Sequence, residues 1–191
     1  MDGNKGRNKM KIIGITGHPA SGKDTVADFL VGRGWNKVSG GDILREQMTE
    51  LGIPIDRASM HEFVSGMRQK HGNGYLCEET MRRIQGETVI SGIRNREEVQ
   101  IFREKLGAQG ADFQLWAVEA PLRTRYEWAK ERNRIGDEVS FEEFTRQEDL
   151  EKKANSGSHE VDLVIAGADL KIINDGTLED LYIKVIDNLG L

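Results

Sequence analysis

The stretch Gly17-His18-Pro19-Ala20-Ser21-Gly22-Lys23-Asp24-Thr25 follows the apolar run Lys11–Thr16 and opens an amphipathic segment that begins at Lys23. This order predicts a strand, a glycine-rich turn and a helix, which is the setting of a phosphate-binding loop. Gly17 and Gly22 allow the backbone to turn its N–H groups toward phosphate oxygens, and the helix N-terminus adds partial positive charge. We call residues 17–25 the glycine loop. The alternative is a chance match in an ordinary glycine turn.

The residue after Lys23 departs from the usual phosphate-loop pattern. Lys23 is expected to supply a positive charge to the β- and γ-phosphates, and the pattern then has Ser or Thr, whose hydroxyl binds Mg²⁺. This chain has Asp24 followed by Thr25. The sequence therefore predicts a nucleotide-phosphate site but leaves its metal ligands open.

Composition limits the classes of partner. The chain has 191 residues, a formal net charge of -5 and 31% charged residues, so no general basic field favours DNA or an anionic membrane. Cys77 is the only cysteine, which excludes an internal disulfide and favours a reducing compartment. We expect a half-buried Cys77, a flexible polar tail over residues 1–10, and a cytoplasmic monomer or homodimer.

Strand-like and helical patterns alternate along the chain, which predicts an α/β fold with a mainly parallel sheet. We expect one P-loop NTPase domain over residues 11–191, with a five-stranded sheet and helices on both faces. Asp42 is predicted to cap the helix after the second strand. Two or three helices are predicted before the third strand, so residues 41–86 are expected to form a small acceptor-binding insertion. The predicted strands are 11–16, 35–38, 88–93, 113–119 and 170–173.

Ligands of open parallel sheets bind beyond the carboxyl ends of the strands. The polar loops of this chain follow its predicted strands, so we expect them to meet at one edge of the sheet. These loops are the glycine loop, Ser39–Arg45, Ser91–Arg94, Ala120–Arg123 and Asn174–Gly176.

The run Ser39-Gly40-Gly41-Asp42-Ile43-Leu44-Arg45 resembles the segment with which adenylate kinase and other nucleoside monophosphate kinases hold the acceptor nucleotide. Residues 11–189 as a whole resemble a family of kinase-like P-loop proteins of archaea and bacteria. Its members are often labelled by similarity to adenylate or dephospho-coenzyme A kinase, and similar domains occur joined to deoxycytidylate deaminases. Gly-Lys-Asp-Thr at 22–25 also resembles the loop of a phage deoxynucleoside monophosphate kinase. The matching stretches are GMRQKHG (66–72), VISGIRNREEV (89–99), APLRTRYEWAKERNR (120–134) and ADLKIINDGTLEDL (168–181).

The resemblance implies an ATP-dependent phosphotransferase with Mg²⁺ and a small phosphate-bearing acceptor. A nucleoside or deoxynucleoside monophosphate is the first expectation, and a dephospho-coenzyme A-like precursor is the alternative. Arg45 would grip the acceptor phosphate with Asp42 beside it, because a guanidinium can bind two phosphate oxygens at once. Arg94, directly after a buried strand, and Arg68 are further candidates. Each of these arginines also fits an ordinary exposed position.

Arg132 and Arg134 resemble the lid arginines of these kinases, and residues 132–157 are expected to form the lid. Positioned cations are the main catalytic resource of phosphoryl transfer, because the reaction needs charge neutralisation more than covalent chemistry. Lys23 is expected to act with them. Arg123 and Arg125 are expected to lie on a solvated helix face.

Two further turns are expected to complete the nucleotide site. Relatives commonly have Asp before the glycine of the third-strand motif, where this chain has Ser91. We hypothesise that Asp24 and Thr25 orient Mg²⁺, with Ser91 as an outer partner through water; Asp24 could instead cap its helix or hold an acceptor hydroxyl. Asn174 and Gly176 resemble the turn that accommodates the donor's base, or form a plain turn. The predicted nucleotide-binding residues of the loop are Gly17, His18, Ala20, Ser21, Gly22, Lys23, Asp24 and Thr25.

A second function of another class remains open. The chain could be a regulatory module that binds or slowly hydrolyses ATP to change its grip on a protein or RNA partner. The unusual Asp24 and Ser91 favour that reading, and the arginines near the sheet edge favour the kinase.

Overall fold

The computed structural model describes residues 9–132, 139–153 and 158–190. Within these residues the strands form one five-stranded sheet in the order β2-β3-β1-β4-β5, and every neighbouring pair is parallel. The predicted α/β class and strand number are confirmed. The strands are β1 Lys11–Thr16, β2 Asn36–Ser39, β3 Thr88–Ser91, β4 Asp112–Glu119 and β5 Leu170–Ile173.

Helices fill every connection between consecutive strands. The connection from β2 to β3 holds α2, α3 and α4, which agrees with the surplus of helices predicted there. None of the described helices is long and apolar enough to cross a membrane. The helices are α1 Lys23–Val31, α2 Gly40–Glu50, α3 Arg57–His71, α4 Tyr75–Arg82, α5 Arg96–Ala108, α6 Leu122–Arg132, α7 Phe141–Lys153, α8 Ser158–Ala166 and α9 Leu178–Leu189.

The central strand β1 is buried on both faces, as expected for the middle of a parallel sheet. Ile13 and Ile15 pack in a core formed with α1 and α9, whereas Ile12 packs on the other face with α5 and α8. Phe29 of α1 also stacks on Tyr182 of α9, with ring centroids 4.0 Å apart. The glycine loop therefore begins and ends in elements that the core holds in place.

The ends of β2 and β3 differ slightly from the predicted ranges. Ser39 lies opposite Ser91 in the parallel register, so the two strands finish at the same level. Gly92 then turns with φ 85°, and the N–H groups of Gly92 and Ile93 both donate to the carbonyl of Ile15. Residues 92 and 93 therefore form a turn beyond β3 and not its last two residues.

The prediction that Asp42 caps α2 is wrong. Ser39 is the N-cap, and its Oγ accepts a hydrogen bond from the Asp42 N–H at 3.4 Å. The helix can start directly at the end of β2 because Ser39, the last strand residue, has extended backbone and a capping hydroxyl. The Asp42 carboxylate is left exposed at the carboxyl edge of the sheet.

Cys77 lies on α4 and is 2% exposed, which is deeper than the half-buried position expected. Burial, with a smaller contribution from the nearby Glu98 carboxylate, raises the pKa of its thiol to about 12. The thiol is therefore neutral at physiological pH and acts as a core side chain.

Candidate functional site

The glycine loop has a backbone shape that needs glycine at two of its positions, Gly17 and Gly22. Gly17 has φ 150° and Gly22 has φ 96°, and Gly22 is the N-cap of α1. A Cβ on Gly17 would lie 2.4 Å from the carbonyl oxygen of Val118, and one on Gly22 would lie 2.3 Å from Nδ2 of Asn174. Both distances are far below contact, so the loop fits against its neighbours only without side chains at these positions. Ala20 also has positive φ, 58°.

The Lys23 side chain folds back over the loop. Its Nζ donates to the carbonyl of His18 at 3.3 Å, and the same carbonyl accepts the N–H of Ser21 at 3.2 Å. The ammonium therefore lies against the loop backbone at the N-terminus of α1, where the helix dipole is also positive. This is a place suited to an anion.

Asn174 supports the loop from the end of β5. It is 7% exposed, and its Nδ2 donates to the carbonyl of Ser21 at 3.0 Å. Its own N–H donates to the carbonyl of Glu119 at the end of β4, at 2.7 Å. The side-chain amide is thus used to hold the loop, while Gly176 lies against Asp180 of α9. The contact of Asn174 and Gly176 with a nucleotide base stays a prediction.

His18 connects the loop to α8. Its Nε2 lies 2.8 Å from Oδ1 of Asp162, and its side chain is 16% exposed. The imidazole therefore contacts the Asp162 side chain of α8. The role of His18 in binding nucleotide phosphate stays a prediction.

Arg125 contradicts the expectation of a solvated position. Its side chain is 6% exposed and makes a two-pronged ion pair with Glu148 of α7, including Nη2 to Oε2 at 2.9 Å. Its Nε donates to the carbonyl of Ala120 at 3.1 Å, and its Nη1 reaches the carbonyl of Pro19 at 3.4 Å. The packing of α7 on α6 covers this face of α6, which helix periodicity could not indicate. Arg123 is exposed, as expected.

The predicted acceptor segment presents an ion pair at the start of α2. Arg45 Nη1 lies 2.6 Å from Asp42 Oδ1, and the two side chains are 51% and 69% exposed. Asp42 lies three residues and Arg45 six residues beyond the carboxyl end of β2, in the first two turns of α2. The pair offers a cation and a hydrogen-bond acceptor side by side to an incoming ligand.

Arg68 and Arg94 meet through one carboxylate. Glu98 accepts from the backbone N–H of Arg94 at 3.1 Å and lies 3.4 Å from Nη2 of Arg68. Arg94 is exposed, whereas Nε of Arg68 is buried and has no hydrogen-bond partner among the described residues. The Glu98 carboxylate of α5 therefore links the Arg68 side chain to the backbone just beyond β3, and the binding of an acceptor by Arg68 and Arg94 stays a prediction.

The candidate metal residues lie near the loop. Asp24 is exposed in the first turn of α1, and Ser91 is 6% exposed at the end of β3, against which α1 packs. Gly22 caps α1 without any side-chain hydrogen bond, so the alternative in which Asp24 caps the helix is wrong. The described ranges contain no group of three or more His, Cys, Asp or Glu placed to hold a metal. A metal bound here would need phosphate oxygens as additional ligands.

The two predicted lid arginines differ in what the structure describes. Arg132 is the last residue of α6 and is exposed. Arg134 lies outside the described residues, as do the other residues from 133 to 138. The lid role of both arginines stays a prediction.

A cavity of about 460 Å³ lies on the outer side of the edge strand β2. It shares Ser39 and Asp42 with the acceptor segment, and the glycine loop does not line it. Two of its charged side chains are paired, Lys37 with Asp28 and Arg83 with Glu46. Its lining residues are Asn36, Lys37, Val38, Ser39, Asp42, Ile43, Glu46, Arg83 and Gln85.

Sequence reasoning missed the residues that support the loop from outside. Asp162 lies on α8 and Glu148 on α7, far along the chain from residues 17–25, and no motif marks them. Arg125 lies four residues after Pro121, near the start of α6. This position in the sequence does not show that the carboxylate of Glu148 faces Arg125.

Comparison with known proteins gives a consistent result. Residues 12–152 match the profile of a protein family described as "AAA domain". A UPF0200 protein of Staphylothermus marinus is 30% identical over 177 residues, which cover 91% of this chain and 88% of that protein.

Solved structures share the fold. TT1252 from Thermus thermophilus superposes with a TM-score of 0.56 at 23% identity, covering 96% of this chain and 98% of that one. Shikimate kinase from Bacteroides thetaiotaomicron gives 0.58 at 10% identity, covering 94% and 98%. At these identities the similarity concerns the arrangement of the sheet and helices.

Gly22→Ala is expected to weaken binding of ADP by at least about tenfold, because the added methyl meets Asn174 and displaces the loop backbone. Gly34→Ala is the matched control, since Gly34 has a similar φ of 90° but nothing within 4 Å of an added Cβ. Both variants carry the same kind of backbone strain. ADP affinity measured by calorimetry should fall only in Gly22→Ala, and equal losses in both variants would contradict the steric explanation.

Proposed function

This chain is a P-loop kinase-like protein of the UPF0200 family, and we propose that it transfers the γ-phosphoryl group of ATP to a small phosphate-bearing acceptor. The observation that carries the proposal is the glycine loop with Lys23 folded across it, at the same sheet edge as Arg45 and Arg94. A (deoxy)nucleoside monophosphate is the proposed acceptor, and a dephospho-coenzyme A-like precursor is the alternative.

The glycine loop would bind the phosphates of ATP. Its turned backbone and the N-terminus of α1 provide N–H donors, and Lys23 would exchange its contact with the His18 carbonyl for phosphate oxygens. The hydroxyls of Thr16 and Ser21 are buried without a hydrogen-bond partner in the described part of the chain. Unpaired buried hydroxyls cost about 1–3 kcal/mol each, so a polar ligand or ordered water near the loop would stabilise them.

The acceptor would lie between the end of β2 and the end of β3. Arg45 supports this because its exposed guanidinium can leave Asp42 and bind a phosphate in a two-pronged contact. Arg94 and Arg68 would add positive charge from the neighbouring strand and from α3. Asp42, once released, would accept a hydrogen bond from a hydroxyl group of the acceptor.

Closure of the lid region would bring the last cations to the reacting phosphate. Arg132 is proposed to neutralise the transferring group together with Lys23, and Arg134 is proposed to assist. Such a cation contributes a factor on the order of a thousand or more to the rate of phosphoryl transfer. Closure also excludes water, which suppresses hydrolysis of ATP.

The residues near the loop fit a magnesium ion that arrives with ATP. Mg²⁺ in such sites is bound by phosphates, waters and one or two protein oxygens, and would neutralise phosphate charge. Asp24 and Thr25 are proposed to orient it, and Ser91 would act through water. In this proposal Asp24 stands where a hydroxyl is usual and Ser91 stands where a carboxylate is common. The two replacements would compensate each other.

The second candidate is a regulatory module that binds or slowly hydrolyses ATP and acts on a protein or RNA partner. Ser91 favours it, because the end of β3 offers a buried hydroxyl where a metal-positioning carboxylate is common. The two functions differ in their response to an acceptor. A kinase forms ADP faster when its acceptor is supplied, and a switch does not.

Arg45→Met is expected to raise the KM for the acceptor by about 10- to 100-fold, because a charge-assisted contact to phosphate is lost. ADP formation from ATP and Mg²⁺ would be measured against a panel of nucleoside monophosphates, deoxynucleoside monophosphates and dephospho-coenzyme A. Arg82→Met is the control, since Arg82 is an exposed arginine of α4. A panel in which no compound stimulates ADP formation would contradict the kinase and favour the regulatory module.

Asp24→Asn is expected to lower Mg²⁺-dependent ATP turnover by about 10- to 100-fold and to raise the Mg²⁺ concentration needed for half-maximal rate. Adding Ser91→Asp to that variant should restore part of the loss, because a carboxylate returns to the metal side of the loop. Asp28→Asn is the control on an exposed part of the same helix. Full activity of Asp24→Asn with unchanged Mg²⁺ dependence would refute the metal role.

A further inference from the structure

Arg125 is a buried cation placed directly behind the glycine loop. One guanidinium contacts the carbonyl of Ala120 at the end of β4, the carbonyl of Pro19 in the loop and the carboxylate of Glu148 on α7. Its side chain is 6% exposed and that of Glu148 is 11% exposed. A single side chain therefore joins three separate parts of the chain at the edge where nucleotide binding is proposed.

The chemistry of the guanidinium suits this position. Its planar set of N–H donors allows it to grip a carboxylate with two nitrogens while Nε points elsewhere, which an ammonium cannot do. Nε fixes Arg125 to the carbonyl of Ala120, and the Glu148 carboxylate orients the far end. The Nη1 group is then held 3.4 Å from the Pro19 carbonyl.

Contacts from outside the loop hold residues on both sides of Pro19. Asn174 holds the carbonyl of Ser21, and Asp162 holds the His18 side chain. Arg125 contacts the loop carbonyl that lies between these two supports. Because Ala20 has positive φ, a shift of the preceding carbonyl would change the direction of the loop N–H groups.

We propose that Arg125, held by Glu148, is a positioning residue of the glycine loop that sets the Pro19 backbone for binding nucleotide phosphate. The inference rests on the proposed function in so far as the loop binds a nucleotide. It adds that α7 is tied to the proposed donor site through this ion pair.

A purely structural ion pair would behave differently from a positioning one. Replacing both partners by apolar residues often restores the stability that is lost when one partner is removed. Such a replacement restores no donor to the Pro19 carbonyl. Stability and nucleotide affinity are therefore expected to separate in the double variant Arg125→Met/Glu148→Leu.

The experiment measures ADP affinity by calorimetry and the thermal unfolding midpoint in the full chain. Arg125→Met/Glu148→Leu is expected to unfold near the wild-type temperature and to bind ADP about tenfold more weakly. Arg125→Lys keeps the positive charge but loses the planar set of guanidinium N–H donors, and it should bind ADP at least about threefold more weakly. Arg103→Met is the control, because Arg103 makes an exposed ion pair, through Nη2 to both carboxylate oxygens of Asp169, at the amino-terminal end of β5.

Wild-type ADP affinity in a folded Arg125→Met/Glu148→Leu variant would overturn the inference. If that variant fails to fold, Arg125→Lys decides, and unchanged affinity there overturns the inference equally. A wild-type chain that binds neither ADP nor ATP would instead refute the proposed function. Because no acceptor is used, the result does not depend on whether the protein is a kinase or a regulatory ATPase.

Discussion

The backbone of residues 17–25 is the constraint on which the rest of the site depends. Its turned conformation allows no side chain at Gly17 or Gly22, because Val118 and Asn174 occupy the space that a Cβ would need. Such a loop keeps its shape only if neighbouring elements hold it. Asn174 at the end of β5, Asp162 of α8 and Arg125 of α6 do so. The parallel sheet matters to function because it places the ends of its strands around this one loop.

The supports of the loop come from the second half of the chain, whereas the proposed acceptor side comes from the first. Arg45 and Arg94 follow β2 and β3, on one side of the loop, and α6 to α8 lie in the connection from β4 to β5. The loop therefore lies between the exposed residues proposed to bind the acceptor on one side and the helices α6 to α8 on the other. The residues proposed to bind the acceptor are therefore different from the residues that hold the loop.

The sequence predicted the sheet, the loop and the surplus helices before β3, because strand patterns, glycine spacing and strand-end position are local signals. It failed where the answer depends on which helices pack together. Arg125 was expected in solvent because no spacing rule reveals that Glu148 of α7 covers it. Asp42 was expected to cap α2 because aspartate is a common N-cap residue. The helix instead begins directly after β2, so Ser39 at the end of that strand is the N-cap. The roles of Arg45, Arg132 and Arg134 stay predictions.

We propose that residues 17–25 bind nucleotide phosphates while α6, α8 and the end of β5 hold the loop. A crystal structure of the protein with ADP and Mg²⁺ would show whether they do. The claim predicts the β-phosphate within hydrogen-bond distance of the loop N–H groups and of Lys23 Nζ, with Asn174 still bonded to the Ser21 carbonyl. Phosphates bound elsewhere, or a loop that has left Asn174, Asp162 and Arg125 to bind them, would contradict it.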